Sequence, residues 1–267
     1  KLFWRKLIKL NKLNLQQITE DLIDDFINAG KIAKEISLRG VKITIKPDNS
    51  PVTDGDIAVN EILTNKIKIL TPDIPIISEE TVNLNVENKN ENFWLIDPID
   101  GTRDYIKKSD EYTLNAALIV NCLPVIGVIY APSKERLFYS FGQNLAYEIN
   151  KGEKRKLNCS KKNSNKIIGL AHSGKTETEV LSIYKKYKVS EVLKMSSSLK
   201  FCILAAGEAD IYAANARAYE WDIAAGHAIL EHSGGNITDH NEKKFLYGKK
   251  NYKNVPLIAK RNINLNN

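Results

Sequence analysis

Apolar residues recur at helical spacing from Ile18 through Leu22, Phe26, Ala29 and Ala33 to Ile36, which predicts an amphipathic helix ending near Gly40. Residues 41–45 read as a short strand and Lys46–Thr53 as a polar loop carrying Pro47 and Pro51. Asp54–Leu70 reads as a second helix, with Ile57, Ile62, Leu63 and Ile67 facing inward and Thr53 or Asp54 as its cap. Ile74–Ser78 is a short apolar strand running into Glu79-Glu80, followed by an Asn-rich surface excursion over Thr81–Asn92. Phe93-Trp94-Leu95-Ile96 is a continuous apolar run of the kind a buried strand needs. Thr113–Val120, Val125–Tyr130, Arg136–Ser140 and Leu145–Ile149, separated by short turns, predict an antiparallel meander.

After about residue 155 the pattern changes to alternation. Strand-like Ile167–Ala171, Val192–Met195 and Asp210–Ala213 are interleaved with helical Thr176–Lys188, Ser198–Gly207 and Asp222–His232. That is the pattern of an α/β lobe. We therefore expect two lobes in the 267 residues: 1–155, a helical start and an antiparallel sheet, and 156–267, the α/β part.

Composition narrows the classes. The net charge is +7, but the basic residues are 32 Lys against 7 Arg, spread along the chain, where bidentate phosphate recognition favours Arg. Abundant Asn and Ile point to A/T-biased codons, and nucleic-acid binding is not expected. Cys122, Cys159 and Cys202 lie far apart with no C-x-x-C pair, which gives neither a disulfide framework nor a zinc site. With no signal-peptide pattern and no membrane-length apolar run, a cytoplasmic protein is expected. The first fourteen residues combine Lys1, Arg5, Lys6, Lys9 and Lys12 with Leu2, Phe3, Trp4, Leu7, Ile8 and Leu10. Such a helix can lie peripherally on the anionic inner face of a membrane, although packing on the body with its lysines solvated is the commoner outcome.

The candidate chemistry starts at Asp97-Pro98-Ile99-Asp100-Gly101-Thr102. Two carboxylates at a strand end, with the Ile99 carbonyl between them, lead into a turn whose N–H groups are free. Glu79 ends another strand, Asp56 lies at a helix start, and Asp222 opens a helix whose next turn is small and apolar. Each alone is most simply a cap or a surface charge. Together they offer an oxygen-only donor set that suits Mg²⁺ or Mn²⁺ and leaves room for water and phosphate oxygens.

These residues occur in the order Ser50-Pro51-Val52-Thr53-Asp54-Gly55-Asp56, Ser78-Glu79-Glu80, Asp97-Pro98-Ile99-Asp100-Gly101-Thr102 and Trp221-Asp222-Ile223-Ala224-Ala225-Gly226. The chain thereby resembles the lithium-sensitive, Mg²⁺-dependent phosphatases of the inositol monophosphatase superfamily, over roughly residues 15–260. Ser50–Thr53, Ser196–Cys202 and Ala205–Tyr212 look like the 3′(2′),5′-bisphosphate nucleotidase branch (the CysQ type). The resemblance implies a layered αβαβα fold, a monomer or homodimer, and hydrolysis of adenosine 3′,5′-bisphosphate to AMP and phosphate in sulfur assimilation. An inositol 1-phosphate or sugar-phosphate phosphatase is the alternative. It further implies that Glu79, Asp97, Asp100, Asp222 and the Ile99 carbonyl bind about two or three Mg²⁺ ions. By the same resemblance Asp56 and Thr102, with Glu79, activate water, and Gly101 and Thr102 hold the scissile phosphate. Glu79, Ile99, Asp100 and Asp222 also face the substrate, and Ser197 and Lys200 reach the nucleotide. The chain departs from the family pattern at Ala214, where an Arg is common, and over Leu170–Gly174, where another cation is common; Arg217 or Lys175 could supply the missing charge.

Overall fold

The structure, a computed structural model, describes residues 14–86, 90–160 and 166–261. The amphipathic reading of the N-terminus falls on residues 1–13, outside the described ones. Helix α1 (Leu15–Arg39) is capped by Asn14, whose side chain accepts the Gln17 N–H, and stops at Gly40 with φ 96°. It is followed by β1 (Ile43–Ile45), β2 (Pro51–Thr53), α2 (Asp54–Leu70), β3 (Ile76–Ser78), β4 (Phe93–Asp100) and α3 (Thr102–Ile106). The meander is β5 (Thr113–Val120), β6 (Leu123–Ala131), β7 (Arg136–Ser140), β8 (Ala146–Asn150) and β9 (Glu153–Lys156). The rest comprises β10 (Ile168–Ala171), α4 (Thr178–Lys186), β11 (Glu191–Lys194), α5 (Leu199–Ala205), β12 (Ile211–Ala214), α6 (Ala224–His232), β13 (Asn236–Asp239) and β14 (Leu257–Lys260).

Strands β3 to β9 form one seven-stranded sheet in sequence order, antiparallel except for the parallel pair β3–β4. A second sheet has the order β11-β10-β12-β14-β13, parallel through β11, β10 and β12 and antiparallel beyond. The side-chain period of two sorts the strands into layers. On β4, Trp94 and Ile96 pack with Leu22, Phe26, Val59 and Leu63 of α1 and α2. Phe93 and Leu95 pack on the opposite face with Phe201, Ala225 and Ile229 of α5 and α6. The small sheet repeats the arrangement: Leu170, Tyr212, Leu257 and Ala259 join that same central core, while Ile211, Ala213 and Ile258 pack with Val180 and Tyr184 of α4. The layers therefore run α–β–α–β–α. Both faces of β4 are covered, so its run is apolar throughout rather than alternating.

Several boundaries differ from the sequence reading. The end of the polar loop, Pro51–Thr53, is strand, because β1 and β2 pair as a short hairpin with Thr44 opposite Val52. Ile57 faces out, 57 % exposed, on the first turn of α2, where Val59 and Leu63 take the core positions. Strands β9, β13 and β14 have no counterpart in that reading. β9 is wholly exposed and carries Glu-Lys-Arg-Lys, so it has no apolar period to read. Among the described residues no helix is long and apolar enough to cross a membrane.

The central layer is tight where α6 crosses β6. A Cβ placed on Gly127 would lie 2.3 Å from the Ala225 carbonyl oxygen, a backbone atom that cannot swing away. Gly127→Ala is therefore expected to destabilise the protein by at least about 2 kcal/mol in urea unfolding. Gly174→Ala, where the nearest atom is His172 Cδ2 at 3.7 Å, is expected to stay within about 0.5 kcal/mol. Equal effects would contradict the packing described.

Candidate functional site

The site begins with an irregularity in β4. Phe93, Leu95 and Asp97 alternate onto the face toward α5 and α6, and strict alternation would send Asp100 to the other face. The β4–β5 register instead shifts, with Asp97 opposite Asn115 and Asp100 opposite Thr113. Three steps on β4 match two on β5. The bulge absorbs one residue and returns Asp100 to the face of Asp97, while the Ile99 side chain stays in the core beneath α1 and α2. Pro98 suits this stretch because it has no N–H to leave unpaired. Gly101 then turns with φ 92°, a left-handed conformation that glycine adopts without strain. Its carbonyl accepts the N–H groups of Asp104 and Tyr105. The N–H groups that open α3 have no partner within the helix.

Two further elements supply carboxylates. Glu79 follows β3, and its N–H donates to the Ile96 carbonyl at 3.0 Å, fixing it beside β4. Asp222 ends a 3₁₀ turn (Glu220–Asp222) that leads into α6, and one of its oxygens accepts the Tyr219 N–H at 2.8 Å. Oxygens of Glu79, Asp97 and Asp222 lie within 4.8 Å of one another, so they could share one metal ion. Asp97 is buried, and its Oδ1 has no hydrogen-bond partner among the described residues. Asp100 is half-buried and accepts the Ser198 N–H at the start of α5.

Crowding sets the electrostatics. Burial first, and then repulsion from Glu79, Asp100 and Asp222, pushes the Asp97 carboxyl well above the usual range. Burial and then Asp100 and Glu79 do the same to Asp222. Asp100 rises only to about 6, because the Lys200 ammonium and the Ser198 N–H oppose its burial. A buried carboxylate with an unpartnered oxygen among other carboxylates is a poor resting state for a folded protein and a good one for receiving a cation.

Asp56 lies apart from this cluster, one turn into α2. Its Oδ2 accepts from the Thr53 N–H at 2.7 Å and the Thr53 hydroxyl at 2.5 Å, a capping box. Its Oδ1 lies 3.2 Å from Thr102 Oγ1, which is also 3.1 Å from the Ile99 carbonyl. One hydroxyl proton serves one acceptor at a time. Burial raises the Asp56 pKa, against the Thr53 hydrogen bonds that lower it.

Beside the carboxylates opens a cavity of about 290 Å³, lined by Asp100, Ser197, Lys200, Tyr212, Arg217 and Asp222 among others. Both sequence-derived contacts from this segment therefore border the site. Ser197 holds a left-handed φ of 56°. The Lys200 ammonium donates to the Ser197 carbonyl at 2.6 Å, and burial pulls its pKa down to about 8 against the attraction of Asp100. Ala214, Arg217 and His172 also line the cavity, whereas Lys175 borders the smaller recess next to it.

Sequence reasoning did not find Lys46 or the role of Glu80. The Lys46 ammonium lies 3.2 Å from Glu79 and 2.9 Å from Glu80. Burial would lower its pKa, but Glu79 and Glu80 outweigh that and leave it raised. Burial in turn lifts Glu80 to about 7. Nothing local in the Lys46 loop announces a partner 33 residues away.

Comparison with known proteins gives a single picture. A profile of the inositol monophosphatase family matches residues 14–263. The 3′(2′),5′-bisphosphate nucleotidase CysQ of Buchnera aphidicola is 39 % identical over 202 residues, 75 % of this chain and 76 % of that protein. CysQ of Escherichia coli K12 is 32 % identical over 223 residues, 82 % of this chain and 89 % of the other. Among solved structures, CysQ from Bacteroides thetaiotaomicron aligns with a TM-score of 0.75 at 27 % identity, covering 91 % of this chain and 96 % of that one. An inositol monophosphatase from Anabaena, at 22 % identity and a TM-score of 0.74, shares the fold over 93 % of this chain and 92 % of its own. With its motifs, its layer order and these relatives in agreement, the chain belongs to the inositol monophosphatase family.

Proposed function

We propose that this protein is a Mg²⁺-dependent phosphatase that hydrolyses adenosine 3′,5′-bisphosphate to AMP and phosphate. The observation that carries the reading is the convergence of Glu79, Asp97 and Asp222 within 4.8 Å beside a cavity with Lys200 and Arg217 in its wall. The relatives named as 3′(2′),5′-bisphosphate nucleotidases support the substrate. The donor set fits a hard divalent cation: it is all oxygen, and it includes the unpartnered Oδ1 of Asp97. When bound, such a cation supplies Lewis acidity toward phosphate oxygens and lowers the pKa of bound water. Glu79, Asp97, Asp100, Asp222 and the Ile99 carbonyl are the groups we assign to holding it.

The chain's own residues do the rest in this reading. Thr102 accepts a hydrogen bond from the attacking water and, as it takes the water's proton, passes its own hydroxyl proton to Asp56 Oδ1, the final base. Asp56 is held in register by the Thr53 cap, so its acceptor oxygen does not wander. The N–H groups of Gly101 and Thr102 face the equatorial phosphate oxygens, where charge develops. Ser197 and Lys200 border the leaving nucleotide. We take residues 1–155 to carry most of the cation site and 156–267 the substrate wall. A cytoplasmic enzyme, monomeric or dimeric, with residues 1–14 available to a membrane surface, completes the proposal.

A second reading, hydrolysis of inositol 1-phosphate or a sugar phosphate, is favoured by Ala214, which lines the cavity without a charge. Initial rates with Mg²⁺ decide between them: kcat/KM is expected to be higher for adenosine 3′,5′-bisphosphate than for inositol 1-phosphate. The reverse order would overturn the substrate and leave the phosphatase standing. Arg217 is the cavity's candidate cation for the second phosphate. Arg217→Gln is expected to raise KM for the bisphosphate about tenfold, a charge-assisted hydrogen bond's worth. KM for inositol 1-phosphate should stay within about twofold, and a parallel rise for both would remove Arg217 from that role.

The charge crowding gives a signed pH dependence. Asp97, Asp100, Asp222 and Glu80 bind protons more tightly folded than unfolded. Their contribution is complete below the unfolded carboxylate value near about 4. It is lost as pH rises through the folded values, about 6 for Asp100 and about 7 for Glu80. His232 acts oppositely, because burial depresses it to about 4 and its stability is lost as pH falls. The difference between melting temperatures with Mg²⁺ and with EDTA separates the cluster from such background groups. That difference is expected to be larger at pH 7.5 than at pH 5.5, where protons compete with the cation. An equal or reversed difference would contradict the cation assignment.

A further inference from the structure

Asn115 is a buried carboxamide in the otherwise apolar strand Thr113–Val120, 1 % exposed. Strand register sets it directly opposite Asp97, so the two side chains share one face of the sheet. That is the face toward α5 and α6, since the preceding pair, Leu95 and Ala117, packs in the same central core.

Its orientation is fixed from one end. Ser198 Oγ donates to Asn115 Oδ1 at 2.7 Å, and Thr113 Oγ1 lies 2.8 Å from Ser198 Oγ. With Oδ1 occupied, the donor end, Nδ2, is the end turned away from Ser198. Nδ2 has no hydrogen-bond partner among the described residues, and neither has Asp97 Oδ1. A bare buried donor and a bare buried acceptor thus sit on opposed residues of adjacent strands. Reversing the amide would set a carbonyl oxygen toward the carboxylate, so the orientation with Oδ1 on Ser198 is the electrostatically sound one.

We propose that Asn115 is a positioning residue for Asp97: its Nδ2–H group donates to the Asp97 carboxylate and sets which lone pairs face the acidic cluster. Ser198 then serves both acids of the β4 bulge, holding Asp100 through its backbone N–H and orienting Asn115 through its hydroxyl. The inference rests on the reading of Asp97 as a cation ligand. A purely structural Asn115, tying β5 to α5, would need only the acceptor oxygen and would leave its donor end without purpose.

Mn²⁺ binding to the full chain, followed by calorimetry and by the free-ion EPR signal, tests this alongside melting temperature in EDTA. Asn115→Leu removes the donor and keeps the volume similar. The Mn²⁺ Kd is expected to rise about tenfold or more, the usual effect of losing a ligand's supporting hydrogen bond. The melting temperature without metal is expected to fall modestly, because Ser198 Oγ loses its acceptor, and the Kd values are compared well below it, where both proteins are folded. Ser198→Ala is the second variant, since it keeps Asn115 but frees its amide to turn; it too is expected to weaken Mn²⁺ binding. Unchanged Kd in both variants, with wild type binding Mn²⁺, would overturn the role of Asn115 alone. Wild type that binds no Mn²⁺ would remove the cation site and this inference with it.

Discussion

Glu79, Asp97 and Asp222 stand within 4.8 Å of one another, and holding like charges that close in a protein costs free energy. Two unit charges about 4 Å apart interact by about 4 kcal/mol at an effective dielectric of 20. A fold that is stable by only about 5–15 kcal/mol overall cannot carry several such terms unrelieved. The chain relieves them locally. Lys46 bridges Glu79 and Glu80, Ser198 donates to Asp100, and Tyr219 donates to Asp222. Protonation takes up the remainder: burial first, and then the neighbouring acids, push the Asp97 and Asp222 carboxyls well above the usual range. The same crowding is what a divalent cation would relieve, so in the proposed function stability and activity draw on one cluster.

The fold's part is to make that crowding geometrically unavoidable. A regular β4 would send Asp97 and Asp100 to opposite faces, and the bulge opposite Asn115 and Thr113 brings them to one. Parallel pairing of β3 with β4 delivers Glu79 to the same end, and the close approach of α6 to β6 at Gly127 delivers Asp222 from across the central layer. Each placement depends on backbone hydrogen bonds and packing established well away from the carboxylates. The acids are therefore held by the sheet and the central core, not by their attraction for one another.

How much of this was legible follows from the same physics. Glu79 and Asp97 were readable because each follows an apolar strand run, and Asp222 because it opens a helix, places where a polar residue has a reason to stand. The αβαβα order was readable from the resemblance, and from the switch between meander and alternation near residue 155. Strands β13 and β14 were not, because four-residue strands carry too little periodicity to separate from loop. Lys46 was hidden because its partners are more than thirty residues distant and its own neighbourhood is a turn. Asn115 did leave a signal, a lone carboxamide in the run Thr-Leu-Asn-Ala-Ala-Leu-Ile-Val. A polar residue inside a buried strand needs a partner, and asking which one would have led to the site.

The arrangement also separates what fixes the chemistry from what chooses the substrate. Glu79, Asp97 and Asp100 belong to the large sheet and its edges, where a shift of one residue in register would scatter the cluster. The cavity wall from Ser197 to Arg217 belongs to α5, β12 and the loop that follows, on the side of the small sheet. Substituting Ala214 or Arg217 alters charge in that wall without touching the bulge. Asp222 and the Ser198 turn are the points where the two halves meet, since Asp222 lies in both the acidic cluster and the cavity wall. In the proposed function, a change in that wall would alter the molecule held, whereas a change in the acids would have to be matched by the strands that carry them.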